Sequence, residues 1–147
     1  MVIRLKTCKL LVAILIMALE LVAGAHAGQA ASLYQRLGGQ QAITAVVAEF
    51  VANVAADPRI NARFAETDIP HLKAMLVEQI CAGSGGPCVY SGRDMKTTHR
   101  GMHIQEAEFS ALVEDLVRAL DKFQVPSQEK TDLLNILSPM KGDIVNQ

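Results

Sequence analysis

Beyond residue 70, three histidines and two cysteines are the side chains of this 147-residue chain best suited to chemistry. Cys81, Cys88, His99 and His103 read as C-x6-C-x10-H-x3-H, and His71 lies ten residues before Cys81. Two thiolates and two imidazoles suit tetrahedral zinc. Structural zinc sites, however, space their cysteines by about two to four residues, and a domain with its own apolar core needs no metal to fold. The cysteines flank Gly83-Ser84-Gly85-Gly86-Pro87, a turn that could bring them together. A disulfide there is worth about 2.5 kcal/mol by loop closure; a free buried pair is the other reading, and both stay open. No G-x-S-x-G elbow or phosphate-cradling glycine loop is present, and no C-x-x-C-H that would hold a haem through thioether bonds. Glu114 and Asp115 are adjacent carboxylates, but helix neighbours do not face each other, so they read as a solvated face. His99 remains as the candidate ligand, and its setting has to decide its role.

The first residues read as an address. Arg4, Lys6 and Lys9 precede the apolar run Leu10–Leu19, whose ten residues are too few for a bilayer of roughly 30 Å. The chain then relaxes into small residues ending Ala25-His26-Ala27, the A-x-A pattern cut by signal peptidases. Residues 1–27 are thus expected to be a cleaved signal peptide, residues 28–147 the mature domain, and the protein to be exported, in the periplasm. Three of the 14 basic residues and one of the 15 acidic ones leave with the signal, so the mature domain carries −3. No basic run is left that would suit a phosphate backbone, so nucleic acid is excluded as a partner, and no membrane association is expected after cleavage. Cys8 leaves too, which makes Cys81 and Cys88 an even pair in a compartment where disulfides persist.

Helices must do the positioning. Ile43, Val46, Val47, Phe50 and Val54 recur at steps of three and four, giving a helix from about Gln40 to Ala56 that Asp57-Pro58 ends. A short turn then brings Phe64 inward. Asp68 caps a helix with Pro70 in its first turn, running to about Ala82 with Ile69, Leu72, Leu76 and Ile80 inward. A glycine-rich loop, Gly83 to Gly92, precedes a short helical turn around Lys96 to Arg100. Phe109, Leu112, Val113, Leu116, Leu120 and Phe123 form a stripe over Glu106–Phe123, and a last helix after Pro126 carries Leu133, Leu134, Leu137, Met140 and Ile144. No strand pattern competes. The fold class is all-α: four main helices plus short ones in one domain.

On this frame a resemblance becomes specific. Ser32-Leu33-Tyr34-Gln35-Arg36-Leu37-Gly38-Gly39, then Gly85-Gly86-Pro87 with Tyr90-Ser91-Gly92 and Met95, then Phe109–Phe123 with Val125-Pro126, stand in an order that resembles the truncated haemoglobin family, group I in particular. The likeness covers essentially Ser32 to Val145. It implies a two-over-two helical sandwich around a non-covalent haem b, with His99 as the iron's protein ligand and Phe64 packing on the haem plane. Neutral imidazole is a good iron ligand. Phe50 and Met95 belong to the implied pocket. His103 is expected at the surface.

The chain departs from the family on the distal side. Val51 stands where the family has a ligand-binding Tyr, and Leu72, Met75 and Leu76 occupy positions where Gln or His often sits. The pocket is therefore expected to be apolar, and the lost hydrogen bond, about 1.5–3 kcal/mol, should weaken oxygen affinity by about ten- to a hundred-fold. Met75 is gap-filling core or, on a second reading, a thioether sixth ligand. His71, Lys73 and Arg93 are candidate partners for the haem propionates.

The resemblance thus implies a non-enzymatic protein that binds a diatomic gas (O2, CO or NO), monomeric or weakly dimeric, with a reductase or other redox partner as a possible associate. The rival readings are a haem electron-transfer or peroxidase-like protein using Met75, and a helical interaction module that has lost its cofactor.

Overall fold

The computed structural model describes residues 30–147; the expected signal segment lies outside them. Six α-helices follow in chain order: α1 Leu33–Arg36, α2 Gly39–Ala56, α3 Ile69–Gly83, α4 Met95–His99, α5 Glu106–Lys122 and α6 Ser127–Leu137. Two 3-10 turns, Asn61–Phe64 and Ser138–Asp143, complete the chain. Among the described residues the only β-type pairing is one bridge between Ile104 and Val145.

The α2 helix is the hub. Ile43, Val46, Val47, Phe50, Val51 and Val54 are all buried along it, and α3 and α5 both pack against it. Its start needs glycine twice: Gly38 and Gly39 have φ of +91° and +74°, where a Cβ is strained. It stops at Asp57, the C-cap, whose extended backbone breaks the helical path. The Asp57 carboxylate accepts from the Arg59 backbone N–H at 2.9 Å and from its guanidinium, which holds the carboxyl below the ordinary range.

The α3 and α4 helices begin on the aspartates that the sequence marks. Asp68 accepts from the backbone N–H of His71 at 3.0 Å, and Asp94 from that of Thr97 at 2.8 Å. The last helix is shorter than the apolar spacing suggests. It ends at Leu137 and tightens into the 3-10 turn Ser138–Asp143, because Pro139 has no N–H to continue an α-helical ladder.

Two expectations about α5 need correcting. Its most buried edge is Ala111, Asp115, Leu116, Ala119 and Leu120, whereas Phe109, Leu112 and Val113 are half-buried and Phe123 is 44% exposed. Alanines at 111 and 119 have no bulk to hold α2 away, and Asn53 of α2 donates to the backbone carbonyl of Asp115 at 3.0 Å. The pair Glu114–Asp115 is likewise not one solvated face. Glu114 is exposed, but Asp115 has no solvent exposure, contacts Arg118, and keeps one carboxylate oxygen without a hydrogen bond. Burial pushes its carboxyl above the ordinary range against the opposing pull of Arg118.

Leu120→Ala should therefore cost about 2–5 kcal/mol in urea unfolding. Phe123→Ala, at a half-exposed site, should cost under about 1.5 kcal/mol. Equal costs would mean that the helix faces the other way.

Candidate functional site

His99 is in the last turn of α4 and half-buried. Its Nδ1 lies 2.8 Å from the carbonyl oxygen of Met95, one turn earlier. A carbonyl only accepts, so Nδ1 carries a proton and Nε2 is the ring nitrogen left for a metal, the arrangement of a metal-binding histidine. His99 borders a cavity of about 80 Å³ that Phe64, Met102, Phe109, Leu112 and Ile144 also line. Those walls are apolar, and they come from four separate parts of the chain.

Arg63 and Glu108 line the same cavity and tie those parts together. Arg63 Nε and Nη2 donate to the two oxygens of Glu108 at 2.7 and 3.0 Å, and Nη1 donates to the Met102 carbonyl at 3.0 Å. Met102 N–H in turn donates to the His99 carbonyl at 3.0 Å. Glu108 also accepts from the Gln105 N–H at 2.8 Å as part of the capping box that opens α5. One guanidinium thus fixes the turn after His99 to the start of α5. It holds the Glu108 carboxyl below its ordinary range, with the Gln105 N–H helping.

Of α3, which lends no side chain to this cavity, only Ile80 and Cys81 are buried. Leu72, Leu76 and Gln79 share one of its faces at helical spacing, and all three are half-buried. Gln79 reaches from there to the His99 side: its Nε2 lies 3.8 Å from the Met95 sulfur and 3.2 Å from that of Met140. Thioethers are weak acceptors, so this amide is held loosely.

The loop between α3 and α4 is pinned at several points. Ser91 donates its N–H and hydroxyl to Glu78, at 2.9 and 2.7 Å, and the Tyr90 hydroxyl donates to the Arg93 carbonyl at 2.9 Å. The sulfurs of Cys81 and Cys88 stand 2.01 Å apart, at disulfide distance. Gly86 between them could bear no side chain, since a Cβ would meet Tyr34 at 2.5 Å and Cys81 at 2.7 Å. No group of three His, Cys, Asp or Glu that could hold a metal ion occurs among the described residues.

A family model for bacterial-like globins matches residues 32–146. The chain belongs to that family. It is 32% identical over 126 residues to a group 1 truncated haemoglobin of Mycolicibacterium paratuberculosis, spanning 86% of this chain and 93% of that relative. It is 34% identical over 116 residues to one from a Nostoc species, spanning 79% and 98%. Among solved structures, the Fe(III) form of Tetrahymena pyriformis truncated haemoglobin superposes with a TM-score of 0.77 at 28% identity, over 80% of this chain and all of that one. The Synechococcus 2/2 haemoglobin, described as carrying covalently attached haem, gives 0.75 at 28%, with the same coverage. Membership implies a haem-binding globin, and the all-α truncated-globin fold is the one seen in these neighbours.

Within this globin, His99 and Phe64 are brought together on the cavity. Phe50 and Val51 are buried in the α2 core, and Leu72 and Leu76 pack against the core from α3. The Met95 carbonyl holds the His99 ring, while the Met75 sulfur lies 4.0 Å from the Ser91 hydroxyl, at the loop edge of α3. His71 and Arg93 are exposed and Lys73 half-buried, and none of their side chains has a hydrogen bond or ion pair among the described residues. His103 is exposed, as expected for a surface residue, with φ of +48°. Sequence reasoning missed Arg63, Glu108 and Gln79. Arg63 precedes Phe64 and Glu108 stands three residues into α5, but no local pattern links them.

A carboxylate held below its ordinary range stabilises the fold above that range and loses the contribution as pH falls through its folded value. Glu108→Gln should therefore flatten the acid limb of the stability profile in urea unfolding between about pH 3 and 7. An unchanged limb would show that the Arg63–Glu108 pair contributes nothing.

Proposed function

We propose that this globin binds a diatomic gas at a haem b held without covalent linkage, with His99 as the protein ligand to the iron. The observation that carries the reading is the His99 Nδ1–Met95 carbonyl bond, which leaves Nε2 as a free donor at the edge of an apolar cavity. The donor chemistry fits haem. Phe64, Phe109 and Leu112 offer flat or branched apolar surface, and the contacts between α3 and α4 run through thioethers and an amide, which yield at little cost.

When bound, haem supplies an iron centre able to take up a gas. The chain's own residues do the rest. Met95 fixes the tautomer of His99, and the Arg63–Met102 link holds the turn that follows. Phe64, Leu112 and Ile144 exclude water from the His99 side. On the α3 side Val51, Leu72 and Leu76 offer no hydrogen-bond donor and the Gln79 amide is turned to the Met95 and Met140 sulfurs, so oxygen should be held about ten- to a hundred-fold more weakly than with a donor present, and carbon monoxide should lose less. Lys73, Arg93 and His71 are the groups available to the propionates.

The electron-transfer or peroxidase-like reading would recruit Met75, whose sulfur would have to leave the Ser91 edge of α3. That geometry favours gas binding over a thioether sixth ligand. Export, with cleavage near Ala27, accords with a Cys81–Cys88 pair at disulfide distance.

The test is the visible spectrum of haem-loaded protein in ferric, ferrous and carbon monoxide forms, beside His99→Ala. A five-coordinate ferrous spectrum that turns globin-like with carbon monoxide and disappears in the variant is expected. A six-coordinate ferrous form resisting carbon monoxide would transfer the reading to Met75, and unchanged haem binding in His99→Ala would overturn the assignment of His99. In the exported protein, mass spectrometry should find the chain starting at Gly28, with a mass two hydrogens below the reduced form. Two alkylatable thiols would sink the disulfide.

A further inference from the structure

We propose that the rim of the His99 cleft is a docking surface for an acidic electron-transfer protein, centred on Lys96 and Arg100. The inference rests on the haem reading above and names the kind of redox partner that site would take.

The charges of the domain are sorted unevenly. Of the eleven lysines and arginines among the described residues, seven stand in ion pairs: Arg36, Arg59, Arg63, Arg118, Lys122, Lys130 and Lys141. The four with no ion-pair partner among the described residues are Lys73, Arg93, Lys96 and Arg100. All four belong to the segment that frames His99, one on α3, one in the following loop, and two on or just after α4. Residues 69–103 hold those four cations against Glu78 and Asp94, a formal +2, while the remaining described residues carry seven cations against twelve acids, a formal −5.

The two carboxylates of haem would balance this formal +2 for the segment as a whole, so what remains is the local placement of its cations. The haem carboxylates can be met by Lys73 and Arg93, which leaves Lys96 and Arg100. Lys96 lies on the five-residue α4 and Arg100 is its C-cap, so two like charges stand at one short helix. Both are exposed, and neither touches the cavity. Neither stands in an ion pair among the described residues, and Arg100 only adds from a distance to the lowering of the Asp94 carboxyl, so most of their complement is external. The loop of the same segment also carries Val89, 82% exposed, the most exposed large apolar side chain among the described residues. It puts an exposed apolar side chain in the same segment as these charges, and transient protein interfaces combine the two.

The occupant follows from charge. Residues 1–29 carry three cations and one acid, so they offer this surface no negative complement. An anionic membrane would bind one apolar face of an amphipathic helix, and the five residues of α4 are too few to offer one. An acidic protein meets Lys96 and Arg100 together, in the segment that carries His99 and next to the site where an electron is needed. In the step implied, the docked partner gives up one electron and is oxidised, and the ferric haem iron gains it and becomes ferrous; no atom moves.

The probe is photoreduced plant-type ferredoxin, a strongly acidic one-electron carrier, mixed with haem-loaded protein. A neutral reduced flavin serves as control. The reduction rate with ferredoxin should fall about tenfold or more from low to high ionic strength, because steering is screened. Lys96→Glu with Arg100→Glu should slow it about tenfold at low salt and remove the salt dependence, leaving haem uptake and the flavin rate unchanged. Wild-type rate and salt slope in the double variant would overturn the surface while leaving the haem reading intact. Failure of wild-type protein to take up haem would fell both. Sedimentation against phosphatidylglycerol vesicles, and of the protein alone at rising concentration, covers the other occupants. Vesicle binding or self-association abolished by the same reversals, with ferredoxin reduction untouched, would also overturn the proposal.

Discussion

Everything in this fold leans on α2, and α2 can be covered only so far by a chain of this size. The α3 and α5 helices take two of its sides, α5 drawn in close by Ala111 and Ala119. What the α3–α4 side lacks is bulk. The chain has four phenylalanines, two tyrosines and no tryptophan, and a core of branched aliphatics packs into layers rather than filling a wide gap. Leu72, Leu76 and Val77 consequently lean on the core while staying half-exposed, and α4 has no buried residue at all. An inserted apolar plate would complete the burial that the polypeptide leaves half done. The cofactor in such a fold is therefore a structural element as much as a chemical one.

Helices placed by one hub still have to be joined, and the joints here are polar. Tyr34 links the two glycine-rich turns: its hydroxyl accepts from the Gln40 N–H at 3.0 Å, its backbone N–H donates to Ser84 at 2.9 Å, and Gly86 lies against its ring. Glu78 holds the next loop through Ser91. Arg63 joins the segment after α2 to the start of α5 and to the turn after His99. Each joint places one charged or aromatic group where several backbone ends converge, so few side chains set the geometry of the cleft.

This division explains what could be read in advance. Helix spans follow from apolar period and from caps at Asp68 and Asp94, and those were legible to within a residue or two, except in α6, which Pro139 cuts short of Met140 and Ile144. His99 and Phe64 stood out because a run of ordered motifs located them. The inner edge of α5 was misread because large apolar residues dominate a periodic pattern, whereas contact with α2 selects alanine and even tolerates Asp115. Arg63 and Glu108 were invisible for another reason. They are 45 residues apart, and each alone has the composition of a solvated surface. The two double glycines were visible, but their meeting at Tyr34 is a tertiary fact that neither turn contains.

The shortness of α4 ties these points to function. A five-residue helix cannot hold its own shape in water, since nucleating the first turn costs more than one or two hydrogen bonds return. The orientation of His99 is therefore imported. Asp94 caps the helix from before, Arg63 fixes Met102 after it, and the 138–143 turn packs along it. The chain end is bound in as well, with the His103 N–H donating to Gln147 and the Asn146 N–H to Ile104, both at 3.0 Å. An imidazole held in this way is aimed by residues dispersed from Arg63 to Gln147. Its aim belongs to the whole fold, so a distant substitution that loosens any of these anchors moves the imidazole without touching it.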